Sequence, residues 1–139
     1  MDMEVVELDP ADRAAAAALW AAVDLTRPWN DPLADFDRAL AGPTSAVLGI
    51  RDGAALLGTV MVGHDGHRGW LYYLAVAPAR QGAGLGRALV AAGEGWLGAA
   101  GAVKVQLMVR HTNRAAAAFY AGLGYEDAAV TVLSRWLSS

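Results

Sequence analysis

Apolar and polar positions change period several times along this chain, and each change marks the boundary of an element. Residues 3–8 alternate weakly, as a short strand does. Asp9 followed by Pro10 reads as an N-cap with proline at the first helical position, and an alanine-rich run carries that helix over residues 11–23. Leu19 and Val23, four residues apart, give it an apolar side. The string Arg27-Pro28-Trp29-Asn30-Asp31-Pro32 breaks it. A second helix is predicted from Pro32, capped by Asp31 and ending near Gly42-Pro43.

The middle of the chain is β-rich. Residues 45–51 and 54–63 flank Asp52-Gly53, which reads as a hairpin turn. A looser turn, His64-Asp65-Gly66-His67-Arg68-Gly69, leads into residues 70–76, apolar or aromatic on both alternations, as a central strand buried on both faces would be. A glycine-rich turn follows, and from it a helix to about residue 100, with Leu85, Leu89, Ala92 and Trp96 at helical spacing. Gly93, Gly95 and Gly98 weaken that helix by about 1 kcal/mol each relative to alanine. Residues 103–109 read as another strand. Asn113 caps a helix running through Phe119 and Leu123, with Gly124 at its C′ position. Residues 128–137 are expected to supply the last strand or strands. The order β-α-α-β-β-β-α-β-α-β(-β) predicts an α/β sheet with helices on both faces, in a single domain over residues 1–139.

Composition narrows the function classes. With 55% hydrophobic and 18% charged residues the chain is a folded protein. Its 11 basic and 14 acidic residues, with Lys104 the lone lysine, argue against binding to nucleic acid or to a membrane surface. The absence of cysteine removes disulfides, thiolate metal sites and a cysteine nucleophile. Residues 1–10 lack the apolar core of a signal peptide, and no apolar run reaches the roughly 20 residues that span a bilayer. A cytoplasmic protein is the expectation.

The turn Gln81-Gly82-Ala83-Gly84-Leu85-Gly86 joins a strand to a helix. First-turn amides of a helix lack carbonyl partners and carry the positive end of its dipole, so they suit an anion. Glycines at 82, 84 and 86 admit close backbone approach, and Arg87 adds a cation. A P-loop would need Gly-Lys-Ser/Thr here, and a dinucleotide fingerprint a third glycine where Arg87 or Leu89 stands; both nucleotide readings fail.

Gln81-x-x-Gly84-x-Gly86, after a strand ending Leu74-Ala75-Val76-x-Pro78, resembles the coenzyme A motif of GNAT N-acetyltransferases. Asn113-x6-Tyr120-x3-Gly124-Tyr125 is similar to that family's second signature. The resemblance implies a GNAT-like mixed, mostly antiparallel sheet and acetyl-CoA as co-substrate, with no metal. It also implies roles for particular residues. Backbone amides of Gln81, Gly82, Ala83, Gly84, Leu85, Gly86 and Arg87 would hold the pyrophosphate. The edge of Leu74, Ala75 and Val76 would pair with the pantetheine arm, and Asn113 would contact the same arm or the adenosine side. Tyr120 would protonate the leaving thiolate, a task suited to a phenol that is neutral at pH 7. In some relatives a glutamate precedes the second signature as base; here Met108 stands there.

The acceptor is expected to be a primary amine of a small molecule or a peptide. Base candidates are His64, Asp65, His67, Tyr72, Tyr73 and Asp31, beside a base acting through water. His64-x-x-His67 with Asp65 is thin support for a metal. Arg27 could clamp a carboxylate and Trp29 cover its apolar part, with Asn30, His67 and Tyr73 nearby in function; alternatively Trp29 fills a core gap. With Asp65-Gly66-His67-Arg68-Gly69 and Tyr72-Tyr73, the Arg27–Pro32 string resembles a small bacterial subgroup of the family. A domain that binds acyl-CoA without turnover, as a sensor or subunit, is the competing expectation. A homodimer through the last strands fits the resemblance.

Overall fold

A computed structural model of the chain describes residues 4–138. The chain divides into two compact units, residues 1–108 and 109–139.

The first unit holds a five-stranded sheet whose spatial order follows the chain: β1 (Val6–Glu7), β2 (Ser45–Asp52), β3 (Ala55–His64), β4 (Gly69–Val76) and β5 (Val105–Leu107). All neighbours are antiparallel except β4 and β5, which run parallel, so the sheet is mixed and mostly antiparallel. The caps read from the sequence are in place. Asp9 accepts from the Ala11 amide and Asp12 reciprocates on the Asp9 amide, giving a 3₁₀ turn at Pro10–Asp12 that opens helix α1 (Arg13–Ala22). Asp31 accepts from the Leu33 and Ala34 amides and opens α2 (Pro32–Ala41). Helix α3 (Leu85–Ala99) crosses from β4 to β5.

One face of the sheet packs on α1 and α2, where Trp20, Phe36, Ala39, Val47 and Ala75 share a buried cluster. The other face packs on α3 at close range. A Cβ at Gly93 would lie 2.9 Å from Leu71 Cδ2 and 3.3 Å from Val62 Cγ1, so this glycine lets the helix approach the sheet. Gly95 and Gly98 have no neighbour within 4 Å of such a Cβ, and only the helix-weakening reading applies to them.

Strand β4 differs from the two-faced burial expected of it. Thr59 pairs with Ala75 and Met61 with Tyr72, which puts both Tyr73 and Leu74 opposite Val60: a β-bulge. The extra residue reverses side-chain parity. Gly69 and Leu71 face α3, whereas Tyr73 and Ala75 face the α1–α2 cluster. Both alternations are apolar because the buried side changes partway along. Tyr72, just before the change, is 39% exposed.

In the second unit, the Asn113 side chain accepts from the Ala116 amide and opens α4 (Arg114–Gly122). Gly124, at φ +94°, follows its end as expected. Residues 128–137 form no strand among the described residues, contrary to expectation. A strand exists only as part of a ladder, and this stretch has no ladder partner.

Candidate active site

The residues of the first unit expected to meet the coenzyme lie on consecutive elements. β5 pairs with β4 only over Gly69–Leu71. From Tyr72 to Val76 that edge of β4 has no strand beside it among the described residues. The Ala77 amide donates to Leu57 O at 2.8 Å and ends the ladder with β3. A 3₁₀ turn at Pro78–Arg80 follows, and Gln81 Nε2 donates back to Val76 O at 3.3 Å.

Gly82 and Gly84 have φ of +83° and +87°, a region costly for residues with a Cβ. Gly84 is the N-cap of α3 and offers no side chain to its amides. Amides in the first turn, at Leu85, Gly86 and Arg87, have no helical carbonyl ahead of them, and the helix dipole adds positive potential there. Leu85 is buried and anchors the turn, while Gln81, Gly82, Ala83, Gly84 and Arg87 are exposed. This surface can hold an anion through backbone donors alone.

In the second unit, the Asn113 side-chain oxygen serves the helix as its cap. Tyr120 lies edge-on to Phe119 and Tyr125, with ring centroids 5.1 and 5.7 Å away. Burial pushes its phenol up to about 12, which keeps it protonated at neutral pH.

The acceptor-side candidates are scattered. Arg27 Nη1 donates to the carbonyls of Asp24 and Thr26, at 2.9 and 2.7 Å, bracing its own loop. Asn30 is half-buried, and its amide donates to Arg27 O. Trp29 is 55% exposed, so it fills no core gap. Asp65 closes its turn: Oδ1 accepts from the amides of His67 and Arg68, and Oδ2 from Trp70 Nε1. Those amide bonds hold its carboxyl at about 2, too acidic to act as a base near neutrality. His67 is exposed on the same turn. Among the described residues no three acids or histidines converge as metal ligands.

Tyr73 is the exception. Its ring stacks on Trp20 with centroids 3.9 Å apart, its carbonyl accepts from Thr59 Oγ1, and its hydroxyl donates to Asp35 Oδ2 at 2.7 Å. Trp20 Nε1 donates to Thr59 Oγ1 at 2.9 Å and closes the set. Trp20, Thr59 and Asp35 were absent from the sequence-based candidates, because no local pattern links positions 38 or 39 residues apart. The faint signal was Asp31 and Asp35 at i, i+4 on one helix face.

Comparison with known proteins gives one answer. Residues 14–125 match the acetyltransferase (GNAT) family. Over 135 residues the chain is 38% identical to an acetyltransferase of Yersinia enterocolitica and 39% to one of Pectobacterium atrosepticum, covering 97% of this chain and 96% of each relative. The fold matches that of AAC(6')-Iy, solved with the bisubstrate analog CoA-S-monomethyl-acetylneamine, at a TM-score of 0.81 and 16% identity, over 97% of this chain and 98% of that one. The chain therefore belongs to the GNAT family of acetyltransferases and is an acyl-CoA-dependent enzyme.

Proposed function

We propose that this protein moves the acetyl group of acetyl-CoA to a primary amine of a small molecule or a peptide, by direct attack of the amine on the thioester. The observation that carries this reading is the uncapped start of α3 behind two left-handed glycines, following directly on a strand with an open edge. In it, the amides of residues 81–87 hold the pyrophosphate and the edge of Leu74, Ala75 and Val76 takes the pantetheine arm, with Asn113 as a further contact. Tyr120, protonated at neutral pH, gives its proton to the leaving thiolate. The bisubstrate ligand of AAC(6')-Iy, a CoA joined to an acetylated amine, supports an amine acceptor. Arg27, Trp29, Asn30, His67 and Tyr73 are assigned to acceptor binding, and the Arg27–Pro32 string to a bacterial subgroup of the family.

Residues 1–139 work as one acyl-CoA-binding domain in the cytoplasm, with no nucleic-acid or membrane partner. No described helix is long and apolar enough to cross a membrane. Val130, Leu133, Trp136 and Leu137, apolar and 75%, 89%, 68% and 98% exposed, support a homodimer. Met108, in place of a glutamate, favours a second reading: an acyl-CoA sensor without turnover.

The deciding experiment pairs ligand-induced thermal shift with turnover. Acetyl-CoA and CoA, but not ATP, are expected to raise the melting temperature, by about 2.7 kcal/mol of stabilisation at 100 times Kd. In Tyr120→Phe, thiol release with an amine should fall about 100-fold while the shift stays. Wild-type binding without release from any amine would support the sensor instead.

A further inference from the structure

An acceptor amine arrives as an ammonium at neutral pH and must lose a proton before it can attack. No histidine or carboxylate singled out in the sequence has been placed for that task, and Asp65 is spent on its own turn. The Tyr73–Asp35 pair lies on the α1–α2 side of the sheet, with Tyr73 within the open edge of β4 and one residue before Leu74.

We propose that Tyr73 and Asp35 take this proton together: the ammonium gives it to the Tyr73 hydroxyl oxygen as Tyr73 passes its own proton to Asp35 Oδ2. One N–H bond breaks and its electron pair stays on nitrogen as the nucleophile. A new O–H bond forms at Tyr73, the old one breaks, and Asp35 ends neutral, releasing the proton to water after the product leaves. The proposal rests on the transferase reading above.

The geometry fits each step. The Tyr73 hydroxyl donates to Asp35 at 2.7 Å, so its lone pairs are the ones available to accept from an amine. Trp20 against the ring and Thr59 on the carbonyl give the phenol one fixed position. Tyr73 has φ of +50°, in the left-handed region that side chains with a Cβ rarely adopt. Such strain persists where surrounding contacts over-determine it, and it gathers at functional sites. Asp31 and Asp35, one turn apart at the start of α2, provide a negative field that favours an ammonium. Arg38 bonds the other oxygen of Asp35, but its side chain is 71% exposed and its charge is screened. Burial first, then the Asp35 bond, raises the Tyr73 pKa, so Tyr73 relays a proton rather than acting as a phenolate.

The test compares two probe amines at pH 7: propylamine, which is an ammonium, and methoxyamine, which is already neutral. In Tyr73→Phe, which keeps the stacked ring, kcat with propylamine should fall about 100-fold and with methoxyamine less than about 10-fold. KM for acetyl-CoA and its thermal shift should hold. Asp35→Asn should follow the same split, and Asp35→Glu should recover part of the loss. Equal losses for the two amines, or an unchanged propylamine rate in Tyr73→Phe, would overturn the relay while leaving the transferase reading intact. No thiol release from wild type with either amine would sink that reading and the relay with it.

Discussion

Helix α2 begins with Asp31, whose Oδ1 accepts from two first-turn amides at 3.1 and 3.2 Å; α3 begins with Gly84, in the left-handed region and with no side chain to offer. The turn before α1 and the start of α4 follow the α2 pattern, through Asp9 and Asn113. A helix start normally satisfies its own donors, and this chain supplies Asp or Asn to do so elsewhere. Where it supplies glycine instead, no cap side chain takes the first-turn donors, which is what the proposed coenzyme site requires. The contrast sits between helices of one protein, so composition and length cannot explain it.

Breaking the contrast at α3 should have the largest effect. Gly84→Asp puts a carboxylate on the open amides and a Cβ into a left-handed position. Acetyl-CoA affinity should fall at least about 100-fold, cutting the roughly 2.7 kcal/mol of stabilisation expected at 100 times the wild-type Kd to about 0.4 kcal/mol or less, as read by thermal shift. Asp31→Ala at α2 should behave oppositely: a loss of about 1 kcal/mol in denaturant unfolding, with acetyl-CoA affinity unchanged. If it weakened acetyl-CoA instead, the two helix starts would not be separate devices. Within α3, Gly93→Ala should destabilise by about 1 kcal/mol, since crowding against Leu71 and Val62 exceeds the gain in helix propensity. Gly98→Ala, with open space around it, should stabilise by about 0.5–1 kcal/mol. The smallest effect belongs to Asp65, which closes backbone donors as Asp31 does. Its folded pKa of about 2 lies below the ordinary value, so its contribution is present above about pH 4 and is lost as pH falls toward 2. Asp65→Asn should flatten the acid limb of the stability curve in that window, by lowering stability slightly at neutral pH while leaving it nearly unchanged near pH 2.

What could be read in advance follows from how local each signal is. Asp9, Asp31 and Asn113 act on amides two or three residues away, and the helices they open stand where the sequence put them. The glycine turn was equally legible, because its conformation depends on its own residues. The bulge was not: residues 70–76 look like a strand buried on both faces, and only pairing with β3 shows that Tyr73 and Leu74 share one partner. The bond between Tyr73 and Asp35 joins β4 to α2, and its partners give no sign of each other in the sequence. Residues 128–137 show the opposite failure, with β-prone residues and no ladder to join.

The doubled position at Tyr73 and Leu74 also sets what drift this strand can absorb. Substitutions along β4 alter one contact at a time. Deleting Tyr73 would remove the bulge and restore one-to-one pairing with β3, leaving Ala75 opposite Thr59 in its cluster, but it would take away the ring stacked on Trp20 and the hydroxyl bonded to Asp35. The sheet itself could do without the extra residue; what that residue adds is one more side chain on the α1–α2 face.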